Sequence, residues 1–261
     1  MRSLRLLVPM LLAGCLFLTP AYGQGQPTPI DSTHYWTYHL LNPQFQPVQV
    51  QARDQFLSFY TPIYLDSLTR LVNWVYKNQS TVRDTFLHYT WWNIQNKLPV
   101  NRQVRVSNQF GDFPVTVERL EFLLAPAWKN PPATVSSPPL ANHYLCYKAF
   151  GFPEPGLSYF LRDEWRNDVQ LPHPMEYLCV PCWKEHGAQV FAPTDTVTHL
   201  ALYPIMPQSD YFYPFVVDQF TAGNFLVQQR PLEYLLVPST KFEEPTKIER
   251  STWGRIKTLY R

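Results

Sequence analysis

Hydrophobic and polar residues alternate in short stretches along this chain, and the alternation predicts β-strands. Successive side chains of a strand point to opposite faces, so in the stretch HYLCYK the residues His143, Leu145 and Tyr147 share one face. A second kind of stretch has an apolar stripe that ends on an acidic or amide residue, as where Val106 is followed by Asn108. A third kind, such as EYLCVP and EYLLVP, is a short apolar run typical of another strand. Together they predict an all-β protein with roughly a dozen or more strands.

These stretches recur with a period near 55 residues. Each repeat opens with a histidine followed four residues later by an aromatic residue. Some 20 residues further on it has an acid or amide, then Gln or Glu, then an aromatic residue. The histidines are His34, His88, His143 and His199, the acids and amides are Asp54, Asn108, Asp163 and Asp218, and the closing lysines are Lys77, Lys129, Lys184 and Lys241. Self-similarity at such a period is typical of repeat architectures, so we expect four tandem repeats, called units one to four below.

The repeats predict a domain organisation and leave two arrangements open. We expect a signal peptide at 1–23, repeat 1 at 31–78, repeat 2 at 85–130, a proline-rich linker at 131–141, repeat 3 at 142–186, repeat 4 at 196–241 and a C-terminal tail at 242–261. A propeller-like ring of four small sheets would hide the sheet edges, whereas stacked β-sandwich modules would bury the same apolar faces between neighbours.

The N-terminal residues have the pattern of a secretory signal. Arg2 and Arg5 precede the apolar run 6–18, and the small residues of Ala21-Tyr22-Gly23 predict cleavage before Gln24. The stretch LAGC also resembles a lipoprotein box, which makes lipidation of Cys15 a second possibility. Either interpretation predicts export to the cell surface, the periplasm or the extracellular space. No later segment has 18 uncharged apolar residues, so we expect no transmembrane span.

Composition narrows the function classes. Removing residues 1–23 takes away two of the 22 basic residues and none of the 20 acidic ones, so the mature chain has a formal charge of zero. A nucleic-acid binder normally carries a basic face, and that class loses support. The 26 prolines disfavour long helices and suit short strands joined by turns.

The order His-x-x-Cys-Tyr, Asp-Gln-Phe and Leu-Cys-x-Pro-x-x-Lys resembles a family of bacterial secreted proteins built from tandem copies of a domain of unknown function. The third unit fits best, through HYLCYK and LCVPCWK, and the other units keep the skeleton without the cysteines. The resemblance covers nearly all of the mature chain. It implies export and a repeat architecture, and it implies no catalytic residues.

The cysteines of the third unit predict a disulfide. Cys146 and Cys179 are present together in this unit and absent together from the other three, which predicts that they bond to each other and leave Cys182 as a free thiol. Two alternatives stay open. Cys179 and Cys182 would form a CxxC redox pair, although such pairs normally need a helix N-terminus. A zinc site would use His143, Cys146, Cys179 and Cys182, but His143 and Cys146 fall on opposite faces of a strand, so we expect no metal.

The recurring histidines and acids predict structural pairing rather than catalysis. Unit two has Asn108 where the others have Asp, and a hydrogen bond survives that change whereas a carboxylate base or an anionic ligand does not. We expect each acid or amide to bond either turn amides or the histidine of its own unit. The closing lysines are expected to hold their charged heads in solvent.

The favoured function is therefore non-catalytic: an exported structural or protein-interaction repeat protein without a cofactor, with self-assembly as one form of that role. The first alternative is a carbohydrate-binding adhesin or lectin, because some of the 41 aromatic residues (17 Phe, 16 Tyr and 8 Trp) could be displayed as sugar-stacking platforms. The second alternative is a thiol-redox protein that uses Cys179 and Cys182. The expected partners are proteins, further copies of the chain or glycans.

Overall fold

The computed structural model describes residues 32–78, 82, 84–133 and 139–243, and these contain strands and turns without a helix. The expected signal peptide, Cys15 and nearly all of the expected tail lie outside the described residues. The strands are β1 (His34–Arg53), β2 (Thr61–Lys77), β3 (His88–Ile94), β4 (Pro99–Asn108), β5 (Gly111–Lys129), β6 (His143–Phe150), β7 (Tyr159–Arg162), β8 (Asn167–Gln170), β9 (Tyr177–His186), β10 (Gln189–Phe191), β11 (His199–Ile205), β12 (Tyr211–Phe212), β13 (Phe215–Val217), β14 (Ala222–Asn224), β15 (Val227–Gln228) and β16 (Glu233–Glu243). The prediction of an all-β protein is confirmed.

Eight of these strands form a closed, antiparallel ring, which we call the strand ring. Its order is β1, β2, β3, β5, β6, β9, β11 and β16, and β16 pairs back onto β1. Each strand that begins at a recurring histidine alternates with a strand that carries a closing lysine. Hydrogen bonds join these strands between units as well as within them, so the described residues form one continuous sheet rather than four small sheets or separate stacked modules.

The distal ends of β1, β2 and β5, together with the segments between the ring strands, form a second layer outside the strand ring. We call them the arms: 41–69 in unit one, 95–119 in unit two, 151–176 in unit three and 206–232 in unit four. Each arm pairs with the lysine-bearing strand of the unit two positions away. β1 pairs with β9, β4 with β16, β7 with β2, and β13 with β5. The arms therefore connect opposite sides of the strand ring.

Alternation along the ring strands produces two hydrophobic cores. A cluster of 14 buried residues, drawn from all eight ring strands, fills the inside of the strand ring, and we call it the inner core. Trp91 on β3 and Tyr234 on β16 contact each other although their strands are not neighbours, with ring centroids 5.6 Å apart, as expected for side chains facing across an enclosed space. A larger cluster, which we call the outer core and which includes Trp36, Trp92 and Tyr147, lies between the strand ring and the arms. Burial of apolar surface on both faces of the same strands is the main stabilising contribution.

Asparagines with left-handed backbone fix two of the arms. Asn78 and Asn130 directly follow the closing lysines of their units and have φ angles of 45° and 47°, a conformation that asparagine tolerates better than most residues. The side-chain oxygen of Asn78 accepts the N–H of Phe160 at 2.7 Å, and that of Asn130 accepts the N–H of Phe215 at 2.8 Å. The same turn thus binds an arm in both places. No helix long and apolar enough to cross a bilayer occurs in the described ranges.

Candidate functional site

The recurring acids and the recurring amide cap the turns at the tips of the arms. One side-chain oxygen of Asp54 accepts the backbone N–H groups of Phe56 and Leu57 at 2.7 and 2.8 Å. Asp163 and Asp218 make the same pair of bonds to their own turns, and Asn108 makes one of them. The expected bonds to turn amides are therefore present.

The second side-chain atom of each acid or amide bonds a ring strand on the opposite side of the molecule. Tyr147 donates its hydroxyl to Asp54 Oδ2 at 2.8 Å, and Asn108 donates to the hydroxyl of Tyr203 at 2.9 Å. Tyr38 bonds Asp163 and the Trp92 indole N–H bonds Asp218 in the same way, at 2.6 and 2.8 Å. The partner is thus the aromatic residue four positions after a histidine, two units away. The alternative expectation, a bond to the histidine of the same unit, was wrong because the arm carries the acid away from its own unit.

The recurring histidines are buried and neutral. The side-chain amide of Gln109 lies 2.7 Å from His34 Nε2, and that of Gln219 lies 2.7 Å from His143 Nε2. Burial lowers the pKa of His34 and of His199 to about 4 and holds the pKa of His88 and of His143 well below the ordinary value. Each glutamine belongs to the unit that follows its histidine, so the contacts at His34 and His143 join neighbouring units. His199 instead contacts the carbonyl oxygen of Val197 in its own unit.

The closing lysines are buried, and the expectation that their heads lie in solvent was wrong. Lys184 is 0% exposed, and the side chains of Lys129 and Lys241 are 3% and 2% exposed. Each ammonium group lies over an aromatic ring of the next unit: Lys77 over Phe110, Lys129 over Trp165, Lys184 over Phe220 and Lys241 over Phe56, at 4.3 to 5.7 Å from the ring centroid. These aromatic residues stand two positions after the recurring acids and amide, and they cover the lysines because the arm of the next unit folds over them.

Two of these lysines have strongly lowered pKa values. Burial lowers the pKa of Lys184 to about 7, and the ammonium group contacts the side-chain oxygen of Gln219. Burial also lowers the pKa of Lys129 to about 7, and this lysine contacts Glu164 and donates to Asn73 Oδ1 at 2.7 Å. Cations this deeply placed are stable only because each has an acceptor and an aromatic face beside it.

The disulfide between Cys146 and Cys179 is confirmed. These residues face each other directly on β6 and β9 and lie in the inner core. Cys182 is free and buried in the outer core, opposite His143 in the register of β6 and β9, and burial raises the pKa of its thiol well above the ordinary value. The two cysteines of CVPC thus lie on opposite faces of β9. No group of three metal-binding side chains occurs in the part of the chain that the structure describes.

A further cluster at one end of the inner core was not found by sequence reasoning. Trp91 contacts Arg70, Phe122, Tyr177 and Tyr234, and these four residues come seven positions before the four closing lysines. Three of the positions are aromatic and one is arginine. The equivalent position of these four residues, seven before each closing lysine, was the feature of the sequence that could have revealed the cluster.

The arginine of this cluster has a buried partner. Glu233, which is 1% exposed, accepts hydrogen bonds from the Thr37 hydroxyl at 2.7 Å and from Arg70 Nε at 3.3 Å. Burial raises the pKa of the Glu233 carboxyl to about 7, although Arg70 and Thr37 act in the opposite direction. This end of the inner core therefore holds a largely buried ion pair next to four aromatic rings.

Comparison with known proteins places the chain among repeats. Residues 88–237, more than half of the chain, match a family model described as a repeat of unknown function (DUF7450). The match confirms the resemblance to an uncharacterised repeat family that the motifs indicated. Comparison with curated proteins and with solved structures gives no match.

Proposed function

The chain belongs to this family of repeats of unknown function, and we propose that it is a non-catalytic, exported structural or interaction protein made of four copies of one unit. The four-copy organisation is supported by contacts that recur with the same spacing. Each closing lysine lies over an aromatic ring of the next unit, and each acid or amide bonds an aromatic residue two units away.

The observation that carries the non-catalytic role is that the recurring polar side chains are buried and bonded to other parts of the protein. A catalytic acid, base or nucleophile has to meet a substrate, whereas the recurring histidines, acids and lysines are buried between the arms and the strand ring. Asn108 replaces a carboxylate and keeps both kinds of hydrogen bond. The acids, the amide and the lysines share the role of fastening one unit to another, and His34 and His143 contribute to it.

Export is supported by the N-terminal pattern and by the disulfide, since structural disulfides persist mainly in oxidising compartments. The thiol-redox alternative has less support, because Cys179 is bonded to Cys146 and Cys182 lies on the opposite face of its strand. Self-assembly is a part of the proposal that analytical ultracentrifugation over a concentration series tests directly.

The structural role of the acids is tested by comparing Asp54→Asn with Asp54→Ala. Asparagine can repeat the arrangement of Asn108 with Tyr203, so the free energy of unfolding should change by about 1 kcal/mol or less. Alanine leaves the N–H groups of Phe56 and Leu57 and the Tyr147 hydroxyl without their acceptor, and about 2–5 kcal/mol should be lost.

Chemical denaturation followed by circular dichroism measures both variants, with Asp112→Ala at an exposed ion pair as the control for loss of an aspartate. Equal losses for Asn and Ala at position 54 would show that the carboxylate itself is required, and the non-catalytic assignment would then lose its basis. Expression with residues 1–23 and N-terminal sequencing of the exported protein tests the location separately, and export should leave Gln24 as the first residue.

A further inference from the structure

The outward face of the first arm is part of a surface formed by four paired strands, which we call the platform. The first residues of β2 pair with the end of β1, the end of β1 pairs with β9, and β9 pairs with β10. On the inward face Ala52 pairs with Lys184, and Lys184 pairs with Phe191. Because neighbouring strand residues point to opposite faces, Arg53, Trp183 and Val190 point outward.

The first row of this platform consists of Tyr60, Arg53 and Trp183. Arg53 and Trp183 are directly paired, and Tyr60 stands next to Arg53 across the hairpin tip, since Ala52 pairs with Thr61. The guanidinium carbon of Arg53 lies 5.1 Å from the centroid of the Tyr60 ring and 4.8 Å from the centroid of the Trp183 ring. An aromatic ring therefore flanks the cation on each side.

The next rows supply hydrogen-bonding groups and a further aromatic ring. Gln51 pairs with Pro62 on one side and with Glu185 on the other, and Glu185 pairs with Val190. Beyond them, Gln49 pairs with Tyr64, which is 42% exposed. Amide, carboxylate and guanidinium groups thus alternate with aromatic rings on one outward face.

Arg53 contacts two aromatic rings but has no acidic partner among the described residues. Its Nε is buried and makes no hydrogen bond, and the described residues offer it no ion pair. A buried donor without an acceptor costs about 1–3 kcal/mol, and a cation held between aromatic rings is preorganised for a planar anion.

The platform lies on the pairing of β1 with β9, but its row of side chains is not repeated in the other units. The positions of Arg53 and Trp183 correspond to Ser107 with Thr240, Arg162 with Tyr76, and Val217 with Trp128 in the other units. Only the Arg162 pair repeats the stacking, over Tyr76 at 5.6 Å. Residues needed for the fold recur four times, whereas the full row of Tyr60, Arg53 and Trp183 does not.

We propose that this platform binds a carboxylated saccharide, with Arg53 receiving the carboxylate of a uronic acid. Sugar rings stack on exposed aromatic rings such as those of Tyr60 and Tyr64, while Gln51 and Glu185 stand where they can bond hydroxyl groups. The guanidinium, which no described carboxylate pairs with, selects the acidic sugar over a neutral one, because its planar fork matches a carboxylate. This inference is independent of the non-catalytic role proposed for the recurring residues.

Calorimetric titration with the trimer of galacturonic acid, at low ionic strength, tests the proposal on the mature protein. The neutral galactose trimer and a glutamate-rich peptide are titrated in parallel. We expect the uronate trimer to bind, and to bind about tenfold or more tightly than the neutral trimer.

Arg53→Lys keeps the charge and loses the planar fork, and should weaken binding of the uronate trimer about tenfold. Tyr60→Ala should also weaken it, and Arg105→Lys, at an exposed ion pair with Asp112, should leave it unchanged. Circular dichroism verifies that each variant is folded. The proposal is overturned if the uronate trimer does not bind at millimolar concentration, if the neutral trimer or the peptide binds as tightly, or if folded Arg53→Lys binds as the wild type does.

Discussion

Replacing Lys184 by methionine is expected to stabilise the protein near neutral pH, although it removes a charged group with partners. Lys184 is 0% exposed, and burial lowers its pKa from 10.5 to about 7. A shift of this size corresponds to about 5 kcal/mol of free energy that opposes folding whenever the lysine is charged in both states. Methionine fills a similar volume without that cost.

Part of the gain is offset by lost contacts. Methionine leaves the side-chain oxygen of Gln219 without its donor, at about 1–3 kcal/mol, and it removes the cation from the faces of Phe191 and Phe220, at about 1 kcal/mol. The expected net effect at pH 6 is therefore an increase in the free energy of unfolding of about 1–3 kcal/mol.

The pH dependence gives the sharper test. Because the pKa of Lys184 is lower in the folded state, its cost is complete below about pH 7 and disappears as the pH rises towards 10.5. The wild type should gain stability over this interval relative to Lys184→Met, so the advantage of the variant should shrink and reverse by about pH 10.

Urea unfolding at pH 6, 8 and 10 measures the difference between the two proteins. Both are made in a Cys182→Ala background, since the thiolate of an unfolded chain would attack the disulfide at alkaline pH. Lys97→Met, at an exposed ion pair with Glu121, should show no such trend and is the control. A difference between Lys184→Met and the wild type that stays constant from pH 6 to pH 10 would refute the account of Lys184 as a buried cation.

Three other predictions concern the inner core. Replacing Cys146 and Cys179 together by valine should lower the free energy of unfolding by about 3–4 kcal/mol in chemical denaturation, because the unfolded chain loses a closed loop, and dithiothreitol should then have no effect on stability. Trp91→Ala should cost about 3–5 kcal/mol by the same measurement, and a loss below about 1 kcal/mol would contradict its place in a closed core. For Glu233→Gln, the free energy of unfolding should rise relative to the wild type by up to about 3 kcal/mol between pH 4.5 and pH 8. The reason is that a carboxyl with a raised pKa opposes folding only where it is ionised. A difference that does not change with pH would contradict the burial of an ionised Glu233.

The local parts of the structure could be predicted from the sequence. Alternation located the ring strands, and the place of the acids at the end of apolar stripes predicted bonds to turn amides such as those of Asp54. The joint presence of Cys146 and Cys179 in one unit identified the disulfide, because two residues that occur only together are expected to share one interaction. These inferences need only neighbouring residues or a comparison of the units.

The long-range parts could not be predicted in this way. Nothing in the spacing of Asp54 indicates that its arm reaches Tyr147, since strand pairing depends on which edges meet after the chain has folded. The error about the lysines has the same origin. Lys184 ends an apolar stretch, which suggests an exposed head, but Phe220 comes from a unit that the local pattern does not connect to it. The outward row at Arg53 likewise depends on β1 meeting β9.

Because the arms pair across the strand ring, we expect the four units to unfold together. In stacked repeat proteins each unit contacts only its neighbours, so removal of a terminal unit leaves the rest folded. Here β16 closes the strand ring onto β1 and also pairs with β4 of unit two, while β13 of unit four pairs with β5. A chain that ends at residue 195 would lose all three pairings, and the edges of β1 and β9 would be left open.

We therefore expect the full chain to unfold in urea in a single transition that is the same by circular dichroism and by tryptophan fluorescence. The chain that ends at residue 195 should lack near-ultraviolet circular dichroism and a cooperative transition. Truncation within the Pro-rich linker, after residue 133, should have the same consequence, since it removes the arm that pairs with β2. If either shortened chain kept a cooperative transition and a native-like spectrum, the units would be stable without closure, and the exchange of arms across the strand ring would not be what holds them together.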